Sequence, residues 1–208
     1  MRKLITNTFV TLDGVMQAPG GPEEDSAGSF KYGGWSFHYW DDIMGKVMDE
    51  LMAVPFDLLL GRKTYEIFAA HWPRIKDEPA ADKLNSVRKF VVSRSLKKAE
   101  WNNSSLIKSN VEREIGTLKE QEGPEIQVHG SGNLIQTLIK GKLVDEYRIW
   151  TFPVTLGKGK RLFGDGTIPT SLRLINSRVS STGVIMSSYE PAGEIKIGSF
   201  ALDKPGEE

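Results

Sequence analysis

The 208-residue chain contains no cysteine, which excludes disulfides, thiolate nucleophiles and Cys-based metal sites. It has three histidines, His38, His71 and His129, far apart and without HxxxH spacing, so no metal site is expected. It has no excess of charge of either sign: 27 Lys and Arg stand against 27 Asp and Glu, and the cations are scattered. The electrostatic footprint of a nucleic-acid partner is therefore missing. No apolar run is long enough to span a bilayer, and the basic start MRKLITNTFV meets Asp13 and Gly14 before a signal-peptide core could form. No membrane partner and a cytoplasmic location are the expectations. There is no GxSxG elbow, since the order around Ser131 is GSG. Nothing reads as a repeat, a low-complexity tract or an interdomain linker. At 39% apolar residues the chain can bury one sizeable core, so a single domain over residues 1–203 is expected, with 204–208 as a frayed tail.

What is present centres on two stretches, EIQVHGSGN (125–133) and FDLLLGRKTY (56–65). Each is a short apolar run that stops at glycine and then turns amphipathic, the pattern of a buried parallel strand delivering its end into a helix. Gly130 and Gly132 flank Ser131, so the backbone can take positive φ and approach a ligand closely, and Asn133 is placed to cap a helix beginning at Leu134. A helix N-terminus entered through glycine offers unpaired N–H donors and the positive end of the dipole to a phosphate. The same turn also occurs for steric reasons alone, and Ile135 stands where a GxGxxG fingerprint would have its third glycine.

The other strand end puts Arg62, Lys63 and Thr64 on the first turn of a helix after Gly61. Cations there oppose the dipole, so an anionic partner is expected, unless they are simply a solvated surface pair. A third polar strand end follows Lys89 to Val92, where Ser93, Arg94 and Ser95 supply two hydroxyls and a guanidinium. Three such ends suit one long ligand with several phosphates.

The segments LLLGRKTYE (58–66), FVVSRSL (90–96), IQVHGSGNLIQTLIKGKLVDEYRI (126–149) and PVTLGKGKRLFGDG (153–166), preceded by FVTLDGVMQAP (9–19), resemble the dihydrofolate reductase superfamily, and within it the RibD C-terminal domain family of riboflavin biosynthesis. The resemblance runs in order over nearly the whole chain. It implies a single-domain α/β fold with a mostly parallel central sheet, an antiparallel C-terminal hairpin and flanking helices. It implies NADPH as cofactor, hydride transfer to a small planar heterocycle of pterin or pyrimidine type, and a homodimer. On that resemblance Gly61, Arg62, Lys63, Thr64, Ser93 and Arg94 surround the adenosine phosphates, with Arg94 or Arg62 on a 2′-phosphate. Gly130, Ser131, Gly132, Asn133 and Leu134 face the pyrophosphate, and Val10 and Leu12 border the nicotinamide. The superfamily's acidic side chain near the start of the first helix carries over to Asp41 or Asp42, which are also ordinary dipole partners at a helix start; Asp13, directly after the first strand, is the rival and could equally be a turn aspartate. A dimeric nucleotide-binding protein that keeps the cofactor site without reductase chemistry is the alternative.

Along the chain, Lys3 to Thr11 reads as the first strand. Residues 17–40 form a long glycine-rich segment without clear period that ends in six aromatics, Phe30, Tyr32, Trp35, Phe37, Tyr39 and Trp40. A lid is expected there, with Trp35 and Trp40 against a substrate ring; a satellite apolar cluster or a dimer contact are the other readings. Helices are expected over 41–53, 65–70, 80–87 and 133–140, the last closed by Gly141. A further helix carries Val111, Ile115 and Leu118 behind a Ser109/Glu112 capping box. Strands are expected at 56–60, 89–93, 106–107, 125–129 and 146–152, and as a hairpin of 172–179 with 184–189. Loop GKGKRLFGDG (157–166) offers Lys160 and Arg161 to an anionic substrate tail, or is only a surface loop. Glu194 to Leu202 is expected as an extra edge strand and a candidate dimer contact.

Overall fold

The computed structural model describes residues 1–164 and 166–200. In chain order the elements are β1 (Leu4–Thr11), α1 (Asp42–Ala53), β2 (Phe56–Gly61), α2 (Arg62–His71), α3 (Pro79–Ser86), β3 (Lys89–Val92), β4 (Ser104–Ile107), α4 (Val111–Glu120), β5 (Glu125–His129), α5 (Gly132–Lys140), β6 (Glu146–Phe152), β7 (Leu172–Val179) and β8 (Ile185–Pro191). They build one sheet in the order β4-β3-β2-β5-β1-β6-β8-β7. β4 through β6 are parallel, and β8 and β7 are antiparallel additions at one edge. This is the α/β arrangement expected from the sequence, with its C-terminal hairpin.

Burial on both faces explains the apolar runs. All six residues of β2 are buried, as in a parallel strand covered on both sides. Its Asp57 is tolerated because Arg2 and Arg88 reach the carboxylate at 2.5 and 2.9 Å. On one face α4 and α5 press Ile115, Leu118, Leu134, Ile135 and Leu138 onto Leu4, Val10, Ile126 and Val128. On the other face α1 sets Met44 against Trp150 and Phe152, and α2 and α3 set Tyr65 and Leu84 against Phe56, Leu58 and Leu60. Each such side chain contributes about 1.5–3 kcal/mol of burial, so the core is secured on both sides of the sheet.

The site is positioned by one feature of the register. β1 pairs with β5 only as far as Asn7 opposite His129, while on its other side it runs beside β6 as far as Thr11 opposite Phe152. The C-terminal half of β1 therefore has no neighbour on the β5 side. A cleft opens where the two strands part, at the carboxyl ends of the parallel strands, the place where α/β sheets bind ligands.

Several local expectations are corrected. α5 begins at Gly132, not Leu134: Ser131 occupies the position before it with φ +69°, and Asn133 lies inside the first turn. The Ser109/Glu112 capping box does not form, because Asn110 precedes α4 in a left-handed conformation without a side-chain cap. Residues 194–200 form no strand, since the chain leaves the hairpin after Ser171 and Gly193 pair; Ile197 and Phe200 are exposed. Leu202 and the tail 204–208 lie outside the described residues. The segment 17–40 is not a free-standing lid. The Gln17 side chain donates to the Asp25 and Ala27 carbonyls and accepts from the Lys160 amide, and Trp35 Nε1 donates to the Gln17 carbonyl at 2.8 Å. It is a knitted wall.

Candidate functional site

The cleft has a volume of about 1200 Å³. Its walls come from the strand ends of β1, β2, β3 and β5, the first turns of α2 and α5, the wall segment 16–25, and the inner sides of α1 and α2. That volume admits a ligand larger than a single ring.

One end is rich in donors. The turns after β2 and β5 are joined directly: the Gly61 amide donates to Ser131 Oγ at 2.9 Å, and Thr64 Oγ1 shares a hydrogen bond with the same oxygen at 2.6 Å. Gly130 and Ser131 both have positive φ, +71° and +69°, which turns the chain so that α5 starts facing the cleft. Gly61, Arg62, Lys63, Thr64, Ser93, Arg94, Gly130, Ser131, Gly132, Asn133 and Leu134 all line this cavity, so eleven of the thirteen residues expected at the cofactor are brought together. The other two, Val10 and Leu12, are not. Val10 faces the α4/α5 core and Leu12 is 63% exposed beyond the strand end. Asn7, Thr8 and Phe9 stand at the cleft instead, because β5 ends opposite Asn7.

The cations differ in how they are compensated. Arg62 is held by Glu66 one turn on, at 2.9 Å, and Lys63 by Asp25 at 3.4 Å. Arg94 has no carboxylate partner among the described residues, and neither has Lys108, which stands at the end of the neighbouring strand β4. These two cations, without a carboxylate partner among the described residues, line the cleft together with Ser93 and Ser95, a donor set whose chemistry suits an anion. Ser95 belongs to the polar strand end expected from the sequence, whereas Lys108 does not, because it sits past a strand too short to be read to its end.

The other end is aromatic above a polar floor. Phe9 and Trp150 stack at 5.1 Å, and Trp40 lies on Trp150 at 5.9 Å. Met48, Leu51, Ile67 and Phe68 close the sides. Trp40, expected at the substrate, is in this wall. Trp35 is not: it packs edge-on against Phe152 in the core under α1. The floor carries Asn7, Gln127 and His129. Thr8, 3% exposed on the same cavity, has a hydroxyl with no hydrogen-bond partner among the described residues.

None of the three expected catalytic carboxylates lines the cavity. Asp41 caps α1, accepting from the Met44 amide at 2.9 Å and from both the amide and hydroxyl of Ser181 at 2.7 Å; these bonds, Ser181 foremost, hold its carboxyl below the usual range. Asp42 is exposed on the outer side of α1. Asp13 is a turn aspartate. It accepts from Thr11 Oγ1 at 2.5 Å and from the Leu156 and Gly157 amides, and these bonds, led by Thr11, lower its pKa. Arg161, expected at the substrate, lies 3.8 Å from Asp13 on that outer loop, whereas Lys160 does line the cleft and is ion-paired to Asp25. The carboxyl groups that reach the cleft are Glu24 and Asp25. Burial raises the pKa of Glu24, although the Gly20 and Gly21 amides donate to it. Asp25 is also raised by burial, but hydrogen bonding and attraction from Lys160, with Lys63 behind, bring it below the usual range.

A mostly parallel sheet with an antiparallel C-terminal edge and a ligand-sized cleft over the β1/β5 split defines a dihydrofolate reductase-like fold. Over residues 2–186 the sequence matches the RibD C-terminal domain, and the chain belongs to that family. It is 31% identical over 192 residues to the uncharacterized protein YyaP of Bacillus subtilis (strain 168), covering 90% of this chain and 94% of YyaP. Among solved structures it superposes on a protein assigned to riboflavin biosynthesis from Shewanella sp. PV-4, with a TM-score of 0.62, 22% identity, and coverage of 92% and 99% of the two chains. It superposes likewise on dihydrofolate reductase from Enterococcus faecalis in complex with NADP(H), with a TM-score of 0.57, 13% identity, and coverage of 91% and 96%. At those identities the structural likeness shows the fold alone.

Proposed function

We propose that the chain is an NADPH-dependent reductase that delivers hydride to a small planar heterocycle of pterin or pyrimidine type, acting as a homodimer. The observation that carries this reading is the pair of cations without a carboxylate partner among the described residues, Arg94 and Lys108, at the same cavity as the Gly130–Asn133 turn and the aromatic wall. A ligand with a phosphate at one end and flat rings along its length matches both ends at once. Two further features support this cofactor. Gly61 leaves room for the turn at Ser131 that a Cβ would fill, its ideal position lying 2.7 Å from Ser131 Oγ. Arg94 and Lys108 suit a 2′-phosphate, and among the described residues no acidic side chain lines the cleft at the ends of β3 and β4 to grip a free ribose hydroxyl.

NADPH, when bound, supplies the hydride. The chain's own part is to bind, orient and exclude water. The α5 N-terminus and the Gly130–Asn133 turn hold the pyrophosphate by N–H donors and dipole. Phe9, Trp40 and Trp150 shield the reacting end from solvent. A proton for the reduced ring comes from solvent or from Glu24, the carboxyl at the cleft that has no cationic partner among the described residues.

A second reading, a nucleotide-binding protein without reductase chemistry, is favoured by one observation: Asp13, Asp41 and Asp42 all face away from the cavity. Titration with NADPH and with NADH, followed by nicotinamide fluorescence and thermal unfolding, tests the shared part of both readings. Selective NADPH binding is expected, and a ligand at a hundred times its Kd stabilises the fold by about 2.7 kcal/mol. Binding of neither nucleotide would overturn the cofactor assignment. NADPH oxidation with pterin or pyrimidine substrates then separates reductase from binding protein.

A further inference from the structure

β5 is a central strand with one apolar and one polar face. Ile126 and Val128 enter the α4/α5 core, while Glu125, Gln127 and His129 point to the cleft side. A polar face inside a sheet is costly unless every group is satisfied. The bonds run in one direction. Arg148, on β6, donates to Glu146 at 2.8 Å and to Glu125 Oε1 at 3.3 Å. The Gln127 amide nitrogen donates to that same Glu125 oxygen at 2.7 Å. The Gln127 oxygen therefore faces the other way, where Asn7 Nδ2 approaches at 3.3 Å and His129 Nε2 at 2.8 Å.

An amide oxygen can only accept, so His129 Nε2 must carry the proton. Burial, helped by the Arg148 charge, lowers the imidazole to about 4, so at neutral pH the ring holds a single proton. Its other nitrogen, Nδ1, is then a bare acceptor, and it has no partner among the described residues. Asn7, opposite His129 in the register, has a second side-chain N–H that meets no acceptor among the described residues. Both residues line the cavity, with Phe9 beyond Asn7 and Phe68 at 6.4 Å from the His129 ring.

We infer that His129 and Asn7 are the specificity-determining polar end of the ring site: His129 Nδ1 accepts from a ring N–H and Asn7 Nδ2 donates to the adjacent carbonyl, selecting heterocycles with a lactam edge. This rests on the reductase reading for its substrate class, but not for its geometry. Arg148, Glu125 and Gln127 act as positioning residues that fix the imidazole tautomer from behind. A ring alkylated at that nitrogen leaves Nδ1 facing a carbon and is rejected, because a site built around a hydrogen bond discriminates strongly against a ligand that lacks it.

The test uses the full chain, with pterin and 3-methylpterin as fluorescent probes, in the presence and absence of NADP⁺. Wild type is expected to bind pterin at least tenfold more tightly than 3-methylpterin. His129→Leu should bind the two alike, with NADPH affinity changed less than twofold. Gln127→Leu, which leaves the imidazole in place but frees its tautomer, should lose most of the discrimination. The ¹⁵N chemical shifts of His129 should report the Nε2–H form in wild type and a mixture in Gln127→Leu, which a packing role would not move. Equal binding of the two pterins by wild type would overturn the inference, as would discrimination that survives in His129→Leu, an Nδ1–H tautomer, or NADPH binding without pterin binding. Should a variant fail to fold, the wild-type contrast and tautomer decide. Failure of NADPH binding with pterin discrimination intact would sink the reductase reading and leave the lactam site standing.

Discussion

The Gly61 amide donates to Ser131 Oγ across 2.9 Å, so the turn after β2 and the turn after β5 are one unit. Gly61 has φ −77°, which any residue adopts, and its need for glycine is therefore purely spatial. A Cβ there would meet Ser131 Oγ at 2.7 Å and Ser131 Cβ at 2.8 Å. Ser131 is itself held at positive φ and cannot easily yield. Gly61→Ala is expected to lower stability by about 1–3 kcal/mol, as overpacking does, and to weaken NADPH at least tenfold by displacing the Gly130–Asn133 turn. Chemical denaturation and a fluorescence titration check both.

Arg62 and Arg94 look equivalent in the sequence, each a guanidinium just past a strand. The structure separates them, since Arg62 is paired with Glu66 and Arg94 has no carboxylate partner among the described residues. Arg94→Ala or Lys108→Ala is expected to weaken NADPH about tenfold, roughly the 1.4 kcal/mol of one charge-assisted bond, while leaving NADH nearly unchanged. Arg62→Ala should change either by less than twofold. Equal losses for the two nucleotides in Arg94→Ala would mean that Arg94 reads something other than the 2′-phosphate.

Asp41 is expected to matter for folding and not for turnover. Its carboxylate caps α1 and also ties the helix start to Ser181 in the β7–β8 turn. Asp41→Ala removes a cap and a link between the helix and the hairpin, and should lower Tm by several degrees. The Kd for NADPH should stay within twofold, since Asp41 does not line the cleft. A variant with normal Tm and no NADPH oxidation would return Asp41 to the chemistry.

How far the sequence could be read follows from which signals are local. β2 and the β5 turn were legible because an apolar run ending in glycine marks a buried strand delivering its end into a helix, and eleven of the residues expected at the cofactor, all from those turns and the β3 end, line the cleft. The carboxylates were not legible: Asp13 and Asp41 are acceptors for Gly157 and Ser181, more than a hundred residues away, and only the folded chain brings those partners near. The expectation of Val10 and Leu12 overshot Asn7, Thr8 and Phe9 by a few positions, because the end of β5, not of β1, sets where the cleft begins. His129 was legible in principle. In EIQVH the polar residues alternate, and on a strand between two others that alternation marks a polar cleft floor; reading the stretch as an apolar run hid it.

The His129 imidazole also gives the fold a pH dependence whose sign is fixed. Its pKa falls from 6.5 to about 4 in the folded chain, so between those values the unfolded chain binds the extra proton. Stability is then full above pH 6.5 and is lost as pH drops toward 4, the reverse of a histidine that gains an anionic partner. Between pH 7 and pH 5.5, where most carboxylates stay ionised, the loss should be roughly 1 kcal/mol. His129→Gln, which keeps a hydrogen-bonding side chain but cannot titrate, should flatten that portion of the profile. Urea denaturation of both proteins across pH 5.5–7.5 measures it, and parallel profiles would show that His129 takes up its proton as readily in the folded chain as in the unfolded one.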